Sequence, residues 1–589
     1  MGFALESQPF CKRRLAGKSF IMSPVSIQNI SMSESISRPR YRNFSFTAVI
    51  LVTLFVCRPF VKAQNARGSK KASANTTVTS RLDVQLFRAR VDAALADNRA
   101  SRAFWGILIA DRDKGEVLYE LNADKFFTPA SNAKIFTSTL VLSTLPRDFR
   151  FHTTLETSGQ LGADGRLVGD LILVGHGDPD FSNRKFPYAG KVEHEGAADA
   201  PLVEMVEQAV SKGLREVDGD IVADDSYFPY DPYPAGWSVG DLFFTFGAPI
   251  SALAFNDNSF SIAVSPAERE GEAAGAILEP TAASGGLVYE ISTGPSSGKP
   301  DFSVVRRPGQ NFILLRGSIP VGHAPIKLDF AMTDPEEIAA DALKQILEAR
   351  GIKVTGGVRV KHAEPPHPID SASVPAGGIG LFPEPVTLNA KPAQTVHALV
   401  LADHISPSLL EGIGVTNKVS QNLHAELFLR TVAREKTGVG STDAGVWVEQ
   451  NFLKSVGIED GEVALSDGSG LSRDDLVTPR AVVQLLRYIS QQPWGADYIA
   501  TFPIAGVDGT LENRMKDTAA AGRVLAKTGS LEHVRAMSGY ATTVHGEHLV
   551  FTIFGNNNSQ HGHDATTAMD AIAVAMVETL GASSPKKKK

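Results

Sequence analysis

Cysteine is almost absent. The 589-residue chain holds two, Cys11 and Cys57, and both fall in the first 60 positions. A disulfide framework, a cysteine nucleophile and a Cys-ligated metal are therefore excluded for everything that follows. A basic excess is also missing. Residues 1–63 contain nine Lys/Arg and two Asp/Glu, which leaves 49 basic and 63 acidic residues and a net charge of −14 for the rest. Such a chain has no surplus cations to meet phosphates, so nucleic acid is not an expected partner. Long apolar runs are lacking as well. The one candidate, Phe44–Cys57, is about a dozen residues, short for a membrane span; it follows Arg38, Arg40 and Arg42 and precedes Val61-Lys-Ala63, which resembles a small-residue cleavage site. We read an export signal cut near Ala63, with an uncleaved anchor as the rival and Met22 or Met32 as alternative starts. Leu54–Cys57 is a poor lipidation box, because Phe55 and Val56 are bulky.

What is present begins with Phe126-Phe-Thr-Pro-Ala-Ser-Asn-Ala-Lys-Ile-Phe136. Pro129 suits the first position of a helix and Thr128 its cap. Ser131 and Lys134 then lie three residues apart on one face, within reach of a shared hydrogen bond. A serine hydroxyl needs a base, and a lysine can serve if burial or a nearby cation lowers its pKa from about 10.4. Free N–H groups at the helix start would favour negative charge developing beside Ser131. Alone, Ser-x-x-Lys is a weak signal.

Residues 64–79 read as a polar linker, and 80–150 as a helix (Leu82, Leu86, Val91, Ala94, Leu95), a hairpin (Phe104–Ala110, Val117–Leu121) and the Ser131 helix. Residues 151–363 carry many short strands and two helices, one or two β-rich modules. A proline-rich linker spans 364–395. Residues 396–580 open on the apolar run His397–Leu401 and continue with helices near 408–435, 443–456 and 479–491, a strand Val524–Lys527, a last hairpin and a closing helix; 581–589 is a basic tail. The two hairpins match in length. They could form one antiparallel sheet flanked by the first and last helices, with 151–393 inserted into a single domain.

Two further motifs sit on informative elements. Ser420-Gln-Asn422 heads an apolar helix, and Lys527-Thr-Gly-Ser530 ends a strand, where glycine admits close approach of a ligand. Together and in this order, the three motifs resemble those of the penicilloyl-serine transferases. The chain is most similar to D-alanyl-D-alanine carboxypeptidases of the class C low-molecular-mass penicillin-binding proteins, peptidase family S13. The stretches Gly175–Pro179, Asp224–Phe228, Asp467–Arg473 and Gly506–Leu511 support the likeness. It implies an α+β fold: a serine β-lactamase/transpeptidase-like domain, antiparallel sheet flanked by helices, with a large β-rich insertion.

The resemblance also implies roles. Ser131 would be the acylated nucleophile and Lys134 its base. Ser420 would relay a proton to the leaving amine, and Asn422 would hold the substrate's amide. Lys527 and Thr528 would bind the terminal carboxylate, with Gly529 admitting it, and the N–H groups of Ser131 and Ser530 would form the oxyanion hole. Lys527 would help keep Lys134 neutral. The expected activity is that of a serine DD-carboxypeptidase, with DD-endopeptidase activity left open, and the expected partners are peptidoglycan stem peptides and β-lactam antibiotics in the periplasm or cell envelope, with membrane association at most weak. The chemistry requires no cofactor and no metal. No glutamate stands in the Glu-x-x-x-Asn arrangement of class A β-lactamases, which favours a trapped acyl-enzyme over drug hydrolysis; a related esterase or β-lactamase and a silent wall-binding protein are the rival readings. Elsewhere the ordinary reading prevails: Ser466-Asp-Gly468 as a turn, His561-Gly-His563 as a surface loop, Gly175–Pro179 as a corner without phosphate, and Asp224-Asp225 as an acid pair the chemistry does not use.

Overall fold

A computed structural model describes residues 81–97, 100–190, 193–306, 312–365, 398–559 and 562–582, which belong to one compact unit. The expected presequence and first linker, nearly all of the 364–395 linker, His561 and most of the basic tail lie outside the described residues.

A five-stranded antiparallel sheet organises the chain, in the order Val117–Leu121, Phe104–Asp111, His548–Asn556, Val534–Thr542, Val524–Leu531. The first hairpin thus pairs directly with the last, Trp105 opposite Gly555 and Ile109 opposite Phe551. Both faces of the sheet are covered, so its central strands are apolar without a break and alternate only in which core they enter. Leu108 and Ala110 point into a core shared with Phe136, Leu429 and Leu485. Ile107 and Ile109 point into the opposite one, shared with Phe87, Val91, Ile572 and Met576 of the first and last helices, Leu82–Ala96 and His563–Thr579. Side chains fasten those ends: the Arg81 guanidinium donates to Asp83 at 2.7 Å and to Glu547 at 2.9 Å, and Asp83 accepts from the backbone of Gly581 at 2.8 Å.

Between the hairpins the chain builds a separate apolar core under four further sheets. One of these corrects the expected boundary at 396. The strand Leu399–Ile405 pairs with His152–Thr157 at the edge of the inserted five-stranded sheet, so the second catalytic section starts after it, at the helix Leu409–Lys418. The apolar run is divided in its burial: Leu399 and Val400 face outward at 46% and 39% exposure, while Leu401 and Ala402 are buried in the insertion's core. Two further breaks occur at left-handed residues. The strands Arg166–Val168 and Leu171–Gly175 are separated at Gly169, where φ is +133°, and the helix expected over 408–435 breaks between Lys418 and Asn422, where Ser420 has φ +65°.

The nucleophile helix, Ala133–Thr144, is buried from Ala133 through Leu142 and is preceded by a 3₁₀ turn, Ala130–Asn132. No side chain caps either element, contrary to the expected role of Thr128. The turn is instead fixed by packing: Phe127 is fully buried, stacked between Phe104 at 4.8 Å and Phe554 at 5.5 Å, against the open face of Gly106. Phe127→Ala should cost about 3–5 kcal/mol in chemical denaturation, the usual loss for an excavated aromatic. A loss below about 1 kcal/mol would contradict this assignment of the ring as the anchor of the turn.

Candidate active site

Lys134 has no solvent exposure, and its amine touches three oxygens: Ser131 Oγ at 3.0 Å, Asn422 Oδ1 at 2.6 Å and the carbonyl of Ser469 at 2.7 Å. Asn422 Nδ2 donates to the carbonyl of Phe246 at 2.7 Å, which fixes the amide so that its oxygen must face the lysine. A neutral amine has two protons and one lone pair. With Asn422 and Ser469 accepting the two protons, the lone pair is left for the Ser131 hydroxyl to donate to. The electrostatics agree: burial pushes the Lys134 pKa down to about 7, against the opposing pull of the Asp467, Glu426 and Asp475 carboxyls.

Those carboxyls shape the loop that carries Ser469. Asp467 accepts from the backbone of Gly470 at 2.6 Å and Ser472 at 2.8 Å and from Trp237 Nε1 at 2.8 Å, while Glu426 accepts from Ser469 N at 2.8 Å. Burial first, and then the Asp467 charge, raises the Glu426 and Asp475 carboxyls above their ordinary range. Gly470 adopts φ +81°, and a Cβ there would lie 1.9 Å from the carbonyl oxygen of Ala130. The Asp467–Arg473 loop is therefore more than the turn read from Ser466-Asp-Gly468: it positions the base. Asp467, Ser469 and Glu426 were missed as site residues, although the stretch Asp467–Arg473 already stood out as supporting the family likeness.

A second lysine completes the arrangement. Lys527, also without exposure, donates to Ser420 Oγ at 2.8 Å and to the carbonyl of Thr528 at 2.7 Å. Ser420 reaches it from the left-handed break between two helices. Burial, followed by the charge of Lys134, pulls the Lys527 pKa well below the ordinary amine range. Burial is likewise the leading cause of the lowered Lys134. The repulsion between two such amines is mutual, so each also disfavours protonation of the other.

The Thr528 and Thr510 hydroxyls bond at 2.6 Å. At Gly529 a Cβ would come within 2.7 Å of the Pro129 carbonyl oxygen, so only glycine lets the strand lie against the nucleophile turn. Asn132 Nδ2 pins that turn to Ser538 Oγ at 2.6 Å. Ser131, Ser420, Asn422, Thr528 and Ser530 line one cavity of about 510 Å³. Lys134 and Lys527 lie behind its wall. Asn422, expected to hold substrate, engages Lys134 and Phe246 with its two ends. All eight residues named from the three motifs thus converge, from positions as far apart as 131 and 530.

The remaining candidates are structural. Asp224 pairs with Lys361 at 2.7 Å. Asp225 bonds His362 at 2.9 Å, and with Glu336 these residues bring ligand-type atoms within 4.8 Å of one another. Burial raises both carboxyls, so the pair can share a proton beside the imidazole. At Gly175 a Cβ would meet the backbone of Ala252 and Leu253 at 2.3 Å, a packing role for that corner.

An antiparallel sheet with a serine and a buried lysine on one helix turn, and a second lysine on the edge strand, defines a serine acyltransferase of the β-lactamase/transpeptidase fold. The chain belongs to the D-Ala-D-Ala carboxypeptidase 3 (S13) family, whose pattern matches residues 87–375 and 372–577. It is 34% identical over 511 residues to the D-alanyl-D-alanine carboxypeptidase of Actinomadura sp. (strain R39), covering 85% of this chain and 86% of that protein. It is 27% identical to the D-alanyl-D-alanine carboxypeptidase DacB of Haemophilus influenzae, over 77% and 85%. The crystal structure of penicillin binding protein 4 (dacB) from H. influenzae superposes with a TM-score of 0.68 at 24% identity, covering 83% of this chain and 99% of that one, and its complex with a β-lactam at 0.63.

Gly470→Ala tests the loop. Its Cβ must displace the backbone of the Ser131 turn, so labelling of Ser131 by a fluorescent β-lactam should slow by about 100-fold or more, the scale of losing a positioned base. Labelling at the parent rate would contradict the close approach.

Proposed function

We propose that this protein is an exported serine-type D-Ala-D-Ala carboxypeptidase that trims peptidoglycan stem peptides through an acyl-serine intermediate and is acylated by penicillin. The observation that carries the reading is the Ser131–Lys134 hydrogen bond, made by an amine whose other two contacts are both acceptors. Among the described residues no helix is long and apolar enough to cross a membrane. An envelope location rests on the export signal read at 44–63 and on where such substrates are found.

In acylation the Ser131 hydroxyl gives its proton to the Lys134 amine as Oγ bonds to the carbonyl carbon of the penultimate D-alanine. The oxyanion is met by the backbone N–H groups of Ser131 and Ser530. The C–N bond then breaks as Ser420, bonded to Lys527, passes a proton to the leaving amine, and the proton taken up by Lys134 replaces it on Ser420, so both groups return to their starting forms. Water attacking the ester repeats the sequence in reverse order, with the same base. The terminal carboxylate of the substrate would sit by Lys527, Thr528 and Thr510. A carboxylate there favours the charged form of Lys527, so substrate binding should raise its pKa.

Lys134 works as the free base. Its lowered pKa of about 7 leaves it increasingly protonated as pH falls below that value. The second-order rate of acylation by benzylpenicillin should therefore fall about tenfold per pH unit below 7 and level off above it. A rate independent of pH between 5 and 9 would contradict Lys134 as the base. Ser131→Ala should take no fluorescent penicillin and release no D-Ala from a pentapeptide stem, whereas the parent protein does both. Labelling of the Ser131→Ala protein would end the assignment.

A further inference from the structure

The first turns of the helix Asn422–Thr437 bury Leu423, Leu427, Phe428 and Leu429. His424 interrupts them. Its imidazole has no solvent exposure and lies two residues beyond the amide that accepts from Lys134. An apolar side chain would fill that position without the desolvation an imidazole suffers, so the polar group must be matched by a specific partner.

The partner lies on the insertion. His424 Nε2 is 3.1 Å from Asp257 Oδ1, and the other oxygen of Asp257 meets the Arg184 guanidinium and, at 3.2 Å, His194 Nε2. Burial opposes charge on Asp257, but Arg184 and the two imidazoles hold its carboxyl well below the ordinary range. A carboxylate only accepts, so Nε2 carries the imidazole proton and donates it. Burial lowers the His424 pKa, which leaves Nδ1 as a lone pair 3.8 Å from Asp180 Oδ1. Burial also raises that carboxyl well above its ordinary range, so a protonated oxygen faces the free nitrogen.

The backbone around Asp257 is strained into place. Asn256, Asp257 and Asn258 have φ of +50°, +54° and +50°, left-handed values that persist only where the surroundings impose them. Asn258 imposes them here, accepting from Phe255 N and donating to the Pro249 carbonyl, both at 2.8 Å. A few residues earlier the same segment presents the Phe246 carbonyl to Asn422 Nδ2. The insertion thus grips the helix start at residues 422 and 424. Leu423 and Leu427 also pack with Ile250, Ala252 and Ala254, but apolar contact is non-directional. The His424–Asp257 bond supplies direction.

We infer that His424 is a positioning residue for acylation: bonded to Asp257, it fixes the helix start, and so holds Asn422 Oδ1 on the Lys134 amine and Ser420 beside Lys527. The inference rests on the carboxypeptidase reading and deepens it. Its effect passes entirely through residues 420–422.

Three substitutions separate this bond from packing. In His424→Gln the amide nitrogen reaches the place of Nε2 and still donates to Asp257, whereas the shorter amide of His424→Asn reaches only the place of Nδ1. Asp257→Gly removes the acceptor, suits the left-handed backbone and leaves Arg184 paired with Glu193 at 3.1 Å. The concentration dependence of benzylpenicillin acylation resolves the dissociation constant of the initial complex from the acylation rate constant. We expect the rate constant to fall about tenfold or more in His424→Asn and Asp257→Gly, to stay within about threefold of the parent in His424→Gln, and the dissociation constant to stay within about twofold throughout. Equal rate constants in the Asn and Gln variants, or weaker binding and slower acylation together, would overturn the inference. If one of the two damaging variants does not fold, the other gives the same comparison with His424→Gln; if neither folds, the role is structural and the inference falls. In a parent that labels with penicillin, unchanged variants sink this inference and leave the carboxypeptidase reading standing. A parent that takes no penicillin removes both.

Discussion

The burial of one amine is the constraint on which the rest of the site depends. A lysine withdrawn from water loses the hydration that favours its charge, and for Lys134 that loss outweighs three nearby carboxyls. The surrounding structure serves that withdrawal. The nucleophile helix is buried along nearly its whole length, the Lys527 strand closes against its first turn at Gly529, and the Asp467 loop closes from the other side at Gly470. Two glycines are needed because two backbones approach within van der Waals distance of the same turn, one at the carbonyl of Pro129 and one at that of Ala130. A turn held so tightly needs no side-chain cap, and it has none.

The three catalytic motifs were legible because each is short, local and chemically distinctive, and because the pairing of the first and last hairpins could be read from matching strand lengths. The network behind them was not. Asp467 and Glu426 act through backbone N–H groups of a loop, Ser469 contributes a carbonyl oxygen, and any residue type has a carbonyl. No residue pattern encodes that contact; only the path of the chain does. The Ser420 break was hidden for a related reason. An apolar stripe continues through 409–429, and the interruption lies in one residue turning left-handed to face Lys527. The edge strand Leu399–Ile405 lies on the insertion, with Leu401 and Ala402 in its core and Leu399, Val400 and Ile405 exposed.

The insertion gains a catalytic meaning through its position. Phe246, carried on it, accepts from Asn422 and so fixes the amide that faces Lys134. Trp237, on the same segment, donates to Asp467. Two side-chain hydrogen bonds thus link the inserted part to both arms that hold the base. A module read from sequence as an addition is mechanically part of the site.

The pair of lysines gives the cycle its order. Two amines desolvated in one site cannot both hold a proton without repulsion, and burial lowers the pKa of each. An arriving carboxylate favours the protonated form of the amine it touches, because an opposite charge in contact stabilises that form. A charged Lys527 then opposes protonation of Lys134. The base is thereby held neutral at the moment Ser131 has something to attack. A ligand of similar shape without the carboxylate would occupy the cavity without favouring the charged form of Lys527, and it would lose the second half of this coupling as well as the ionic contact itself.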